Sequence, residues 1–244
     1  MQELLKVTAH RPFPLCSRPW IMKQVWHDLL FAHWPIPLNE MRQLVPLALE
    51  LDCYDGNAWL AVTPFHMSGI RARFLPPLPG WSAFPELNVR TYVSYKGVPG
   101  VYFFSLDAGN RTAVEVARRS YFLPYFYARM KVDAQKDDVQ YSSSRVRGAA
   151  EFSGRYRPVG AVRIREKGSL EHFLTERYCL YAARPSGDIM RGHIHHATWP
   201  LQDAEAEILS NTVAAAAGIR LPGVPPILRF AKRLEVLVWW PERA

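Results

Sequence analysis

The sequence predicts a mainly antiparallel β-fold with a few helices packed on it, and three observations carry that reading. Short runs that alternate apolar and polar residues recur along the whole 244-residue chain. The 20 prolines are scattered and often follow short apolar runs, which suits many short strands better than a helical bundle. Turn signals such as Asp55-Gly56 and Gly97-Val98-Pro99-Gly100 separate the runs. An apolar fraction of 49% is ample for a buried core, and no linker, low-complexity tract or repeat divides the chain, so one domain over residues 1–244 is expected.

The elements follow in order. Lys23–His33 reads as a strand dense in aromatic and large apolar groups, with His27, Asp28 and His33 as hydrogen-bonded core residues rather than catalysts. Asn39 is placed as the N-cap of a short helix with Met41, Leu44 and Val45 on its apolar stripe, stopped at Pro46. Asp55-Gly56-Asn57 joins Leu49–Tyr54 to Ala58–Met67 as a hairpin. Residues 71–85, rich in proline and apolar side chains, form a loop packed down as a flap.

From Pro85 the alternation of a strand puts Glu86, Asn88, Arg90, Tyr92 and Ser94 on one face and Leu87, Val89, Thr91, Val93 and Tyr95 on the other. The turn is placed at Gly97–Gly100, with Val101–Ala108 as the returning strand. Asn110 caps a helix over Arg111–Tyr121 that Pro124 stops. Tyr125–Val132, Ser142–Phe152 and Val159–Ile164 read as strands, Ser169 caps a helix over Leu170–Tyr178, and Cys179–Ala183 and Met190–Thr198 are strands again. Asp203, acidic first turns and Gly218 mark a helix over Asp203–Ala217, and Leu234–Trp240, apolar on both faces, is a central strand.

The net charge of +8 comes from 23 Arg and 7 Lys spread along the chain. The densest set, Arg145, Arg147, Arg155, Arg157, Arg163 and Arg165, forms pairs two residues apart on presumed strands and reads as a solvated face more readily than as a phosphate-binding stripe. Nucleic acid is therefore not the expected partner. No apolar run reaches the ~18–20 residues that span a bilayer, and no leader-like stretch follows the first lysine, so a cytoplasmic protein is expected, with no membrane partner. Cys16, Cys53 and Cys179 are odd in number and far apart, which suits reduced core residues. His193 and His195 share a strand face, as two metal ligands must, but lack a third ligand nearby in sequence, so an edge strand of polar histidines is the preferred reading and neither metal nor cofactor is expected.

The Glu86 face carries the functional expectation. A carboxylate, an amide, a guanidinium and a phenol on one strand face either meet water or line a polar cavity. The runs PELNVRTYV, PGVYFFSLDA and AVEVARRSYFLPY, with WHDLLFAHWPIP upstream, resemble the YqjF-like family of bacterial proteins over nearly the whole chain, and more distantly acetoacetate decarboxylase. Those decarboxylases run from an N-E-L strand through a G-x-x-G hairpin and a strand ending in L-D to a helix reading G-R-E-x-x-G-x-P-K. Glu86-Leu87, Gly97–Gly100, Leu106-Asp107, Arg118 and Pro124 match that pattern. Arg119 stands where the decarboxylases have glutamate, and Tyr125 where they have the imine-forming lysine.

The resemblance thus implies an antiparallel, partly open or cone-shaped β-barrel around a small-molecule cavity, without the lysine chemistry. Glu86, Arg118 and Tyr125 are expected in catalytic positions. Asn88, Arg90, Tyr92, Tyr121 and His66 are expected to bind a small organic anion, with an arginine holding its carboxylate bidentately. The alternatives are a Schiff-base enzyme with a displaced lysine, a nucleic-acid module on the arginine strands, and a Glu86–Arg90 pair that only stiffens the barrel. Association into a homo-oligomer stays open.

Overall fold

Two-residue periodicity dominates the molecule: 52% of residues lie in strands and 12% in helices. The computed structural model describes residues 2–244. The strands are β1 (Met22–Ile36), β2 (Glu50–Leu51), β3 (Ala58–Ala72), β4 (Phe84–Tyr95), β5 (Val98–Ala108), β6 (Tyr125–Gln135), β7 (Asp138–Arg145), β8 (Glu151–Arg163), β9 (Cys179–Ala183), β10 (Ile189–His195), β11 (Leu201–Asn211), β12 (Ile227–Val238) and β13 (Glu242–Arg243). The helices are α1 (Gln2–Lys6), α2 (Leu38–Arg42), α3 (Arg111–Tyr121), α4 (Leu170–Thr175) and α5 (Val213–Ala216). None of them is long and apolar enough to cross a membrane.

The strands form one 13-stranded sheet that closes partly on itself, because β5 and β12 each have two partners on one edge. β5 pairs antiparallel with β4 along its length, and its other edge is shared between β9, parallel at Val101–Tyr102, and β6, parallel at Leu106–Ala108. β12 pairs with β1 on one side and divides its other edge between β11 and β10. Two rings result, one through β6, β7, β8 and β11 and one through β9 and β10, and both use β12, β1, β3, β4 and β5 as a common wall. The fold is therefore a forked, ring-like sheet rather than a clean barrel.

A wall shared by two rings is buried on both faces. β4 is buried from Glu86 to Val93 without a break. Leu87, Val89 and Val93 join a core with Val62, Tyr141, Phe152 and Tyr156, while Tyr92 on the opposite face joins Phe31, Trp59, Phe65 and Phe103. Gly100 makes the fork possible, because a Cβ there would lie 2.8 Å from Cys179 O and Sγ. A buried ion pair pins the β5–β6–β7 junction. Arg145 Nη2 and Nε donate to Asp107 Oδ1 at 2.7 and 3.0 Å, and the guanidinium lies 3.8 Å from the Phe126 ring centroid.

Several expectations need correction. The central turn is Lys96-Gly97, both at positive φ, and Val98, Pro99 and Gly100 already belong to β5. Asp55-Gly56 does form a tight turn closed by Tyr54 and Asn57, but β2 pairs with β4 instead of β3. Ser142–Phe152 spans the end of β7, a loop and the start of β8. α2 starts one residue earlier than its expected cap, after Pro37, and α4 ends at Thr175. The largest change is at Asp203–Ala217, most of which is strand β11, with a helix only at Val213–Ala216. Asp203, Glu205 and Glu207 alternate with small or apolar residues, and Glu205 and Glu207 sit opposite Arg157 and Arg155 of β8. That cross-strand charge match outweighs the helix-end signals. Of the six clustered arginines, Arg145, Arg155, Arg157 and Arg165 pair with carboxylates. Cys179 is buried as expected, but Cys53 is exposed.

The Asp107–Arg145 pair yields a test. Removing one member of a buried pair strands the other charge, so Asp107→Ala is expected to lower unfolding free energy by about 3–5 kcal/mol in urea titrations. A loss below about 1 kcal/mol would mean the junction does not depend on it.

Candidate functional site

The polar face of β4 opens into a cavity of about 650 Å³ enclosed by β1, β3, β4, β5, α3 and the 73–83 segment. Register sets the wall: on β3, Phe65, Thr63 and Ala61 stand opposite Glu86, Asn88 and Arg90. A bulge in the β4–β5 pairing at Val89/Arg90 shifts the parity of β5, so that Val101, Phe103 and Leu106 all reach the cavity. The parallel pairing of Leu106 with Tyr125 brings the start of β6 alongside. α3, capped by Asn110 accepting from the N–H groups of Thr112 and Ala113, lays Ala113, Ala117, Ser120 and Tyr121 over the opening.

Of the residues expected at the site, Glu86, Asn88, Arg90, Tyr121 and Tyr125 line this cavity. Tyr125 Oη donates to Glu86 Oε2 at 2.9 Å, and this bond and the neighbouring Asn88 amide favour the charged carboxylate. Burial nevertheless dominates and pushes the Glu86 pKa up to about 7, with the charge of Asp107 adding to the rise. The Tyr125 phenol is held well above its ordinary range by burial and by the Glu86 carboxylate. Glu86 therefore sits near the midpoint of its titration at neutral pH, which is what a proton-transfer group needs.

Arg90 lies deeper. It is 8% exposed and lies 5.6 Å from the Phe31 centroid, and no carboxylate pairs with it among the described residues. The Glu86–Arg90 ion pair is thus not formed. Thr63, Asn88, Arg90 and Trp199 line the cavity, and Thr63 Oγ1, Asn88 Oδ1, Arg90 Nε and Trp199 Nε1 are buried without a hydrogen-bond partner among the described residues. Buried polar groups are ordinarily satisfied, so four such atoms in residues around one space set this wall apart.

Three expected residues stand elsewhere. Arg118 is directed away from the cavity: its Nε donates to Tyr125 O at 2.6 Å, its Nη1 lies 3.5 Å from Glu115, and its side chain is 44% exposed. It positions the strand that carries Tyr125. Tyr92 forms the floor behind the cavity, donating to Leu174 O at 2.7 Å and meeting His33 Nε2 at 2.8 Å. His66 has the wrong parity, since Phe65 and Met67 face the cavity, and it stacks on His27 at 4.9 Å near Asp28. Sequence reasoning missed Thr63, Arg177 and Trp199. Arg177 reaches the cavity from the α4–β9 junction with its charge matched by Asp52 at 2.5 Å. None of the lysines lines the cavity.

His193 and His195 carry no metal cluster, because no group of three or more His, Cys, Asp or Glu side chains converges among the described residues. His193 Nε2 meets Glu242 at 2.7 Å and His195 Nε2 meets Leu4 O at 2.8 Å.

The geometry agrees with what the chain is similar to. The enduracididine biosynthesis enzyme MppR, in complex with pyruvate, superposes with a TM-score of 0.64 at 8% identity, covering 95% of this chain and 93% of that one. An acetoacetate decarboxylase superposes with a TM-score of 0.63 at 12% identity over 100% and 98% of the two chains. The fold is therefore that of the acetoacetate decarboxylase-like proteins. The protein YqjF of Bacillus subtilis (strain 168) is 52% identical over 221 residues, which cover 90% of this chain and 91% of that protein. A profile described as an uncharacterized conserved protein, DUF2071, matches residues 23–235, and the chain belongs to that family, together with YqjF.

Proposed function

We propose that the cavity binds a small organic anion, a keto or carboxylic acid, and performs lyase-type proton transfer on it without a covalent imine. The observation that carries this reading is Arg90, a buried residue of the cavity wall whose guanidinium has no carboxylate partner among the described residues. A desolvated cation without a counterion is costly, and a carboxylate guest relieves that cost with a bidentate pair. Glu86 then acts as the base or acid, and Tyr125, whose one hydroxyl proton goes to Glu86 Oε2, fixes its orientation. MppR bound to pyruvate and the acetoacetate decarboxylases support a keto-acid guest by likeness of fold. Imine formation needs an amine in the cavity, and Tyr125 offers a phenol there.

Two tests address the chemistry. Arg90→Leu is expected to weaken binding of the acid by about 2–5 kcal/mol in calorimetry, and unchanged affinity would sink the anion site. In Glu86→Gln, binding is retained and turnover is lost, and the wild-type rate shows a limb near pH 7 that Tyr125→Phe moves upward, because the phenol's hydrogen bond holds the carboxyl pKa down. Incubation with a β-keto acid and borohydride is expected to leave no reduced lysine adduct by mass spectrometry.

Glu86 also makes stability depend on pH. Its folded pKa of about 7 lies above the ordinary 4.5, so between those values the native state binds more protons than the unfolded chain and stability falls as pH rises. The contribution is fully present below pH 4.5 and lost above 7. Glu86→Gln is therefore expected to raise the melting temperature at pH 8 more than at pH 5, reflecting up to about 3 kcal/mol. An equal change at both pH values would contradict the raised pKa.

A further inference from the structure

The cavity is graded along its depth. β4 runs from Phe84 at the outer end through Glu86 and Asn88 to Arg90, six residues or about 20 Å at ~3.3 Å per residue, with Tyr92 as the floor. Glu86 and Arg90 are four residues apart, about 13 Å of strand, and the Arg90 guanidinium lies 5.6 Å from the Phe31 ring centroid, with no ion pair to Glu86. A four-carbon acid held at Arg90 leaves Glu86 without a substrate atom to act on.

The outer end is apolar and faces two ways. Leu75, Leu78 and Trp81 of the 73–83 segment, Val116 of α3 and Trp240 line the cavity, yet they are 56, 59, 52, 59 and 55% exposed. They form a rim of large apolar side chains around the mouth. Between rim and floor the lining is mostly apolar, with Met22, Trp26, Leu29, Phe65 and Phe103. A volume near 650 Å³ lies within the ~300–1,000 Å³ of pockets that enclose drug-sized ligands. Outward of Glu86 the lining is mainly hydrocarbon, with Gln24 of β1 and Arg71 of β3 as its polar members, while Arg90, Asn88, Thr63 and Trp199 cluster on the other side of Glu86 or beside it.

We infer that the guest is an elongated amphipathic monocarboxylic acid, its carboxylate on Arg90 at the floor, its central carbons beside Glu86, and an alkyl or aryl tail leaving past Trp26 and Phe65 into the rim at Leu78, Trp81 and Trp240. This deepens the anion site proposed above and rests on it. The tail supplies affinity through buried area and the carboxylate supplies register. The rim residues close over the tail and exclude water from Glu86.

Calorimetry with butyrate, hexanoate, octanoate and decanoate, and with decanol as the neutral control, tests the inference on the full-length protein. Affinity is expected to tighten about two- to fourfold for each added methylene, so that decanoate, six methylenes longer, binds at least about 60-fold tighter than butyrate. Arg90→Leu weakens every acid at least 10-fold and leaves decanol unchanged. The double variant Leu78→Ser/Trp81→Ser, at exposed positions that the fold tolerates, costs decanoate about 10-fold and butyrate nothing. If butyrate and decanoate bind alike and both depend on Arg90, the anion site stands and the elongated guest is overturned. If decanol binds as well as decanoate and Arg90→Leu alters neither, the anion site itself falls. No binding of any acid up to millimolar decanoate overturns both.

Discussion

The structure depends on how β5 is shared. One strand edge serves β9 near its start and β6 near its end, and a matching division on β12 lets the sheet fork into two rings around a common wall. Forking requires backbones to approach closely, and Gly100 against Cys179 is where they do. It also leaves short parallel pairings at the junctions, which are weaker than long antiparallel ladders. The Arg145–Asp107 pair, in which Nε and Nη2 both donate to Asp107 Oδ1 and the guanidinium lies on Phe126, holds the β6–β7 side of that fork.

From that constraint the site follows. A wall enclosed on both sides has no solvent face, so the side chains of β4 that would meet water in an ordinary sheet are desolvated instead. Glu86 responds by holding its proton to about pH 7 despite the hydrogen bond from Tyr125. Arg90 stays a buried guanidinium in the cavity wall, without a carboxylate partner among the described residues. Acid–base competence and anion affinity are thus two answers of different side chains to the same burial.

Much of this was legible in the sequence because strand alternation is a local property. The Glu86–Ser94 face, the Asn110-capped helix and Cys179–Ala183 follow from period and caps alone. The β11 error shows the limit: Asp203 and Gly218 imitate helix ends, while the acidic row at 203, 205 and 207 and the arginines at 155 and 157 carry a period of two that only pairing makes decisive. Arg118 sits four residues after Val114, on the buried side by helical spacing, yet its long side chain turns to the Tyr125 carbonyl. Thr63, Arg177 and Trp199 come from segments up to 136 residues apart, from 63 to 199, and no local pattern announces that they meet. Tyr125 was found only through family resemblance, and its bond to Glu86 exists because a parallel register sets it beside Leu106.

The central claim is that enclosure, not a charged neighbour, sets the state of Glu86. Carbon-13 NMR of the glutamate side-chain carboxyls, with the Glu86 signal assigned by its loss in Glu86→Gln, follows that proton directly. Titration with a midpoint near pH 7 is the predicted result. A midpoint near the ordinary ~4.5 would show the carboxyl to be solvated and would contradict the account.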